Sequence, residues 1–311
     1  ADSLAKVPVR VSTNSLLDES TLLCNYSAPD HHFLESWGDV EPKNGQLSLI
    51  QPAINPIFDT RQGPLSFLIW SASAAVDMKA EQPYYEYLKS NWKSSYTPAG
   101  SDFQEFWDKS LHEGVFELPA ASPDVLAFNG NVNEALSNVT KPSGAALEVS
   151  FFEPIGVGTG QYANNPWLQE LPDPVTRCTW GNYMSIPISF DGDRRFLTEN
   201  GIKDDGELVE VKIGGVSYNL GAIKQFGQMS GTTSVALGYG RQSAGICGTG
   251  IGTDFYPALT TDSSGFVQYF NTQVEMSQGS GKVEKHFACV QHHHTLGVTA
   301  VEKSTGNKKK R

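Results

Sequence analysis

The chain has 311 residues, of which 39% are hydrophobic, and its formal net charge at pH 7 is −11. A chain of this length and apolar content can bury a substantial core in one large or two medium domains. The acidic balance argues against a nucleic-acid surface, which needs a broad cationic face, and no run approaches the roughly 20 apolar residues that span a bilayer.

The first hundred residues predict short elements separated by loops. Val7–Val11 alternates apolar and polar residues as a strand does, and Asp18–Cys24 reads as a short helix or turn. Gln46–Ile50 is predicted to be a strand. Leu65–Ile69, continued by Trp70, is predicted to be a short buried helix or strand.

Two amphipathic helices are predicted between residues 83 and 114. Ser101 and Gln104 have the spacing of a capping box at the start of the second helix, and Gly114 is a typical stop after its end. Residues on the apolar faces are Tyr84, Tyr87, Leu88 and Trp92 in the first helix and Phe103, Phe106, Trp107 and Leu111 in the second.

An irregular connector rich in proline, glycine and asparagine occupies residues 119–146, and we predict a domain boundary near residue 145. A strand at Ala146–Phe152 then begins a β-rich domain. Within it, a turn at Gly214-Gly215 is predicted to pair the residues on either side as an antiparallel hairpin with one apolar face. The predicted pairs are Ile213 with Val216, Val211 with Tyr218 and Val209 with Leu220.

Several sequence segments resemble a known protein family. The segment from Phe152 to Leu259, punctuated by glycines, resembles the C-terminal dinucleotide-binding domain of the molybdopterin oxidoreductases, and residues 18–61 look like the stretch that precedes it. Residues 31–37 read His-His-Phe-Leu-Glu-Ser-Trp and residues 287–293 read Phe-Ala-Cys-Val-Gln-His-His. Within that superfamily these two phrases look most like the B subunit of alternative complex III, a bacterial quinol:cytochrome c oxidoreductase.

The resemblance implies a fold of class α/β plus β. Residues 1–145 would form the end of a molybdoenzyme-like α/β domain with loops and helices. Residues 146–300 would form a double-psi β-barrel-like, molybdopterin dinucleotide-binding-like domain, and residues 301–311, which end in Lys308–Arg311, a basic linker. The chain would be a middle portion of such a subunit, and we expect it to expose apolar surface and dissolve poorly when expressed alone.

The resemblance also implies a function. The region would be the scaffold portion of an iron–sulfur subunit, supporting electron transfer and subunit assembly without bound molybdenum cofactor. Its partners would be multihaem cytochrome and quinol-binding membrane subunits on the periplasmic face of the inner membrane, with no span of its own and with iron–sulfur clusters in the remainder of the subunit. The alternative is the C-terminal part of a catalytic molybdopterin-dependent oxidoreductase of polysulfide-reductase type, with molybdopterin guanine dinucleotide as cofactor.

If a pterin is bound, Gly238, Tyr239, Gly240 and Arg241 are the candidate contacts. Exposed backbone amides between small residues suit phosphate, and a guanidinium can bind it with two parallel hydrogen bonds. In the other interpretation the two glycines permit a tight exit from a strand and Arg241 pairs with a carboxylate. No catalytic residue is assigned, because the nucleophile-elbow and P-loop motifs are absent.

No metal site is assigned either. His31 and His32 lie near carboxylates, but adjacent residues point in different directions on regular elements. Residues of types that bind metals also lie close together in the sequence at His286, Cys289 and His292–His294. The sequence between them nevertheless favours a strand leading to a linker. The four cysteines, Cys24, Cys178, Cys247 and Cys289, lack the spacing of an iron–sulfur motif, and we interpret them as free, mostly buried thiols.

Overall fold

The structure is a computed structural model that describes residues 2–119, 127–137, 139, 147–190, 196–202, 204–282 and 288–289. Contacts between residues divide the chain into an N-terminal unit, Ala1–Val132, and a C-terminal unit, Asn133–Arg311. The predicted boundary near residue 145 and the predicted linker at 301–311 both lie outside the described residues.

The N-terminal unit combines helices with a small antiparallel sheet in the order β3-β4-β5 and a two-stranded parallel sheet of β1 and β2. Its elements are α1 (Asp2–Ala5), β1 (Val11–Ser12), β2 (Tyr26–Ser27), β3 (Gly38–Lys43), β4 (Gln46–Ile50), α2 (Gly63–Trp70), α3 (Pro83–Ser95), α4 (Phe103–Glu113) and β5 (Val115–Glu117).

The core of this unit forms where α3 and α4 pack together with β4. Trp92 and Trp107 are fully buried, and β4 contributes Leu47 and Leu49 by period-2 alternation. The indole nitrogen of Trp92 donates to Asp39 Oδ2 at 2.8 Å, so the largest buried side chain also satisfies its polar atom. The predicted strand at Gln46–Ile50 and both predicted helices are confirmed.

Three local predictions need correction. The capping box at Ser101 is wrong, because the side chain of Asp102 accepts the hydrogen bond from Glu105 N at 3.0 Å. The predicted strand at Val7–Val11 starts only at Val11, because the Arg10 guanidinium binds carbonyl oxygens of the preceding residues and curls the chain around itself. Helix α2 forms where a short buried element was predicted, but Leu65, Leu68 and Ile69 are only half-buried and Phe67 is 60% exposed.

The C-terminal unit is dominated by β-strands, and α5 lies at its beginning. Its elements are α5 (Val132–Ser137), β6 (Glu148–Phe152), α6 (Pro166–Glu170), β7 (Cys178–Thr179), β8 (Met184–Phe190), β9 (Phe196–Thr198), β10 (Glu207–Ile213), β11 (Val216–Gln225), β12 (Thr232–Ala236), β13 (Thr260–Thr261), β14 (Val267–Gln268), β15 (Phe270–Asn271), β16 (Val274–Lys282) and β17 (Ala288–Cys289).

One mixed sheet organises this unit. Its strand order is β15-β6-β12-β8-β11-β10-β16, and β9 pairs with β8 as an eighth strand. The pairs β12 with β6 and β11 with β8 are parallel, while β12 with β8 is antiparallel. Among the described strands the path is open from β15 to β16, so the predicted closure into a double-psi barrel stays a prediction.

The hairpin between β10 and β11 matches its predicted register residue for residue. Gly214 and Gly215 both have positive φ, at 55° and 90°, which is the conformation that a two-residue primed turn requires. Val209, Val211 and Ile213 are fully buried in the main core, whereas Val216 beside the turn is 40% exposed. The apolar residues of the predicted face are therefore buried, except for Val216 beside the turn.

In the part of the chain that the structure describes, every helix is too short or too polar to cross a bilayer. All four cysteines carry thiols in this structure. The expectation that they are mostly buried is wrong, because only Cys178 is buried and the other three are half-buried.

Candidate functional site

The candidate cofactor-contacting residues follow directly after β12 in the C-terminal unit. Gly238 and Gly240 have φ values of 84° and 74°, in the left-handed region that favours glycine. A Cβ atom on Gly238 would lie 2.4 Å from the carbonyl oxygen of Gly158, and one on Gly240 would lie 2.0 Å from the backbone nitrogen of Asp254. Both glycines are therefore required by close approach of the protein's own backbone.

The polar groups at these positions have partners within the protein. The N–H of Gly240 donates to Ile251 O at 2.7 Å, and Arg241 O accepts from Gly250 N at 2.8 Å, which closes residues 240–251 into a loop. Arg241 Nη1 donates to Gly160 O at 2.9 Å. The guanidinium thus fastens this loop to the turn at Gly160 through a carbonyl oxygen.

A buried asparagine holds the base of the loop. Asn182 is 2% exposed, and its Nδ2 donates to Ala236 O and to Thr253 O, each at 2.8 Å. Its Oδ1 accepts from Thr253 N at 2.9 Å. Sequence reasoning missed this residue, because an asparagine after a glycine is typical of any turn and nothing in the sequence shows that its partners lie far along the chain.

Tyr239 points into a buried polar cluster. It lines a cavity of about 20 Å³ together with Asp173, Cys178 and Tyr183, which is room for about one water molecule. Burial, followed by the charge of Asp173, raises the pKa of Tyr239 to about 12, and burial likewise raises the pKa of Tyr183. Tyr183 shares a hydrogen bond with Thr176. At neutral pH both phenols are therefore protonated and do not act as bases.

The loop beside this cluster is strained. Arg177 and Trp180 adopt positive φ values of 62° and 55°, which are uncommon outside glycine. The loop is stabilised by Asp173, whose Oδ1 accepts from the backbone nitrogens of Val175 at 2.9 Å and Thr176 at 2.8 Å. Arg177 Nε is buried and has no hydrogen-bond partner among the described residues. Backbone strain and an unsatisfied donor therefore occur together in this loop.

The N-terminal unit holds a second and larger cavity of about 630 Å³, within the size range of small-molecule sites. Polar, charged and aromatic side chains line it. They include His31, Glu35, Trp37, Arg61, Glu81, Gln82, Tyr84 and Tyr85.

The two adjacent histidines of this unit have different roles. His31 lines the cavity, and its Nδ1 is 2.6 Å from Thr60 Oγ1. His32 instead caps the 3₁₀ turn Phe33–Glu35, where its Nδ1 accepts from Leu34 N at 3.3 Å. The carboxylate of Glu35 accepts from Ile57 N and His32 N, each at 2.9 Å, and these hydrogen bonds lower its pKa.

The described ranges contain no group of three or more histidine, cysteine, aspartate or glutamate side chains placed to hold a metal ion. Of the crowded stretch at 286–294, only residues 288 and 289 are described, and they form β17. His286 and His292–His294 lie outside the described residues.

Comparison with known proteins gives a fold likeness. No protein-family profile matches the chain, and no curated protein matches it. Among solved structures, acetylene hydratase from Pelobacter acetylenicus is similar, with a TM-score of 0.53 and 12% sequence identity over 88% of this chain and 40% of that one. The chain thus spans 40% of the length of this neighbour. At this identity the likeness concerns the fold alone: the chain shares its fold with part of acetylene hydratase.

Proposed function

We propose that this chain is the molybdopterin-oxidoreductase-like scaffold portion of the iron–sulfur B subunit of alternative complex III, a respiratory quinol:cytochrome c oxidoreductase. The observation that carries the proposal is the fold likeness, found in a chain whose residues 31–37 resemble that subunit. In this role the region supports electron transfer and assembly but carries out no chemistry itself, since a fold can persist after its site is lost.

The surroundings of residues 238–241 support a cofactor-free scaffold. The space beside Gly238 and Gly240 is taken by the protein's own backbone, and the N–H of Gly240 is already donated. Arg241 is engaged by the carbonyl oxygen of Gly160. The cavity at Tyr239 holds about one water molecule, far less than a pterin ring system occupies. These four residues fit a tightly packed loop better than a dinucleotide cradle.

The remaining parts of the proposal follow from the resemblance. The scaffold would lie at the periplasmic face of the bacterial inner membrane, peripheral within a membrane complex. Its neighbours would be the multihaem cytochrome and the quinol-binding membrane subunits, and the iron–sulfur clusters would lie elsewhere in the same subunit.

The structural neighbour is named as an enzyme, and this favours a second candidate function. Here the chain would be the C-terminal part of a catalytic molybdopterin-dependent oxidoreductase of polysulfide-reductase type. Gly238–Arg241 would then contact the phosphates of molybdopterin guanine dinucleotide, and Arg241 would have to exchange its carbonyl partner for phosphate.

Elemental analysis separates the two functions. Molybdenum, tungsten, iron and released pterin are measured together on the subunit purified in its native complex. Iron without molybdenum, tungsten or pterin supports the scaffold. Stoichiometric molybdenum or tungsten together with pterin overturns it. Replacing Arg241 by glutamine, with the exposed Lys212 replaced likewise as control, extends the test. In the scaffold neither variant changes the metal content, but in the enzyme Arg241→Gln alone lowers bound pterin.

A further inference from the structure

The short ladder between β7 and β17 places two cysteines opposite each other. Cys178 and Cys289 are direct Cα partners in this antiparallel pair, although they are far apart in sequence. Residues that face each other in antiparallel strands have Cα atoms about 4.5–5.5 Å apart. A disulfide needs a Cα separation of about 4.4–6.8 Å, so the backbone already permits one without rearrangement.

The side chains of this pair also converge. Cys178 Sγ lies 3.7 Å from the carbonyl oxygen of Thr176, and Cys289 Sγ lies 3.5 Å from the same oxygen. Both thiols therefore lie on one side of the ladder and share one acceptor. Cys289 also packs against the small buried cluster of Cys178, Tyr183 and Ile223. Cys24 and Cys247, in contrast, lie in no strand.

We propose that Cys178 and Cys289 are a disulfide-forming pair that covalently joins β17 to β7. With oxidised glutathione as the oxidant, the thiolate of the half-buried Cys289 attacks one glutathione sulfur and releases one glutathione. The thiolate of Cys178 then attacks the Cys289 sulfur of the mixed disulfide and releases the second. Two cysteine thiols are oxidised to one disulfide, and one oxidised glutathione is reduced to two thiols that take up the two protons.

The burial of Cys178 affects the rate at which the disulfide forms. Cys178 is 4% exposed, and burial, together with its neighbour Cys289, raises the pKa of its thiol. The thiolate needed for the second step is therefore scarce in the folded protein, and the exchange is slow there. Oxidation during refolding, before Cys178 is buried, avoids this obstacle. The bond closes a loop of roughly 110 residues, long enough for a substantial entropic stabilisation.

The test uses the full chain, oxidised in two ways. Folded protein is incubated with a mixture of reduced and oxidised glutathione, and denatured protein is refolded in the same mixture. Free thiols are alkylated, and the products are analysed by intact mass and peptide mapping. We expect one disulfide, between the peptides that carry Cys178 and Cys289, with Cys24 and Cys247 alkylated. The oxidised protein should melt roughly 5–10 °C above the reduced protein.

Variants establish which cysteines matter. Cys289→Ser should abolish the redox-dependent shift in Tm, whereas the double control Cys24→Ser and Cys247→Ser should keep both the bond and the shift. The proposal is overturned if the wild-type chain yields no peptide linking Cys178 to Cys289 after either treatment, or if another pair forms in its place. This readout on the wild-type chain needs no variant to fold, and it is independent of whether the region ever binds a pterin.

Discussion

Two glycines of the 240–251 loop share the same backbone conformation, which makes them a matched pair. Gly240 and Gly250 both have a φ of 74°, but a Cβ on Gly240 would collide with Asp254 N whereas Gly250 has open space around it. We expect Gly250→Ala to cost about 1 kcal/mol from backbone strain alone, and Gly240→Ala about 3 kcal/mol or more. Urea unfolding of both variants measures the difference, and equal losses would refute the close approach at Gly240.

The half-buried phenol of Tyr239 predicts a loss of stability at alkaline pH. The pKa of Tyr239 is about 12 in the folded chain against an ordinary value of 10.0, so between these values the unfolded chain releases its proton first. The resulting contribution is fully present below about pH 10 and is lost as the pH rises through about 12, which lowers the free energy of unfolding by about 2 kcal/mol.

Replacing Tyr239 by phenylalanine should remove that part of the alkaline loss. The measurement is the urea midpoint at about pH 8 and about pH 11, compared with wild type. Tyr162→Phe, at a tyrosine that is 54% exposed, serves as the control and should leave the pH dependence unchanged. The same alkaline drop in Tyr239→Phe as in wild type would show that Tyr239 is not the group responsible.

The candidate site itself shows how far single residues can be read from sequence. Gly238 and Gly240 have the positive φ values that the tight exit from a strand, the second interpretation of this segment, requires. Their purpose was not readable, because the atoms that require them belong to Gly158 and Asp254, which the fold brings in from other segments. Asn182 illustrates the same limit, since its three partners belong to residues beyond β11.

At the scale of elements, the start of α4 offers a direct test of capping. The sequence pattern favours Ser101, but the structure gives the capping hydrogen bond to Asp102, which also places a negative charge at the positive end of the helix dipole. We expect Asp102→Ala to cost about 1 kcal/mol and Ser101→Ala less than about 0.5 kcal/mol, measured by thermal unfolding. A larger stability loss in Ser101→Ala than in Asp102→Ala would show that Ser101 is the capping residue.

Elements were predictable where one local signal dominated. The β10–β11 hairpin was predicted in exact register because a two-glycine turn fixes the pairing and alternation fixes the face. The Val7–Val11 segment has the same alternation, yet of these residues only Val11 lies in a strand. The reason is that the Arg10 guanidinium donates hydrogen bonds to carbonyl oxygens of the preceding residues. Alternation alone does not reveal such a competing side chain.

For the whole molecule, the distribution of exposed apolar surface bears on association. In the N-terminal unit, backbone hydrogen bonds from Ala53 N and Ile54 N to Leu34 O, at 2.7 and 3.1 Å, hold two apolar segments side by side. These segments expose Phe33 at 66%, Ile57 at 70% and Phe58 at 75%. Single exposed apolar residues are ordinary, but several of them on neighbouring segments are typical of a surface that another protein covers.

We therefore expect the isolated chain to self-associate through this patch in sedimentation experiments over a range of concentrations. Replacing both Ile57 and Phe58 by serine should weaken the association at least about tenfold, since it removes the two most exposed members of the patch. Phe128→Ser is the matched control, because Phe128 is 80% exposed but lies elsewhere in the sequence. If the wild-type chain stays monomeric, or if the control weakens association equally, exposed apolar area at this patch does not drive assembly. Loss of association in the double variant alone would identify the surface that a neighbouring subunit of the proposed complex should cover.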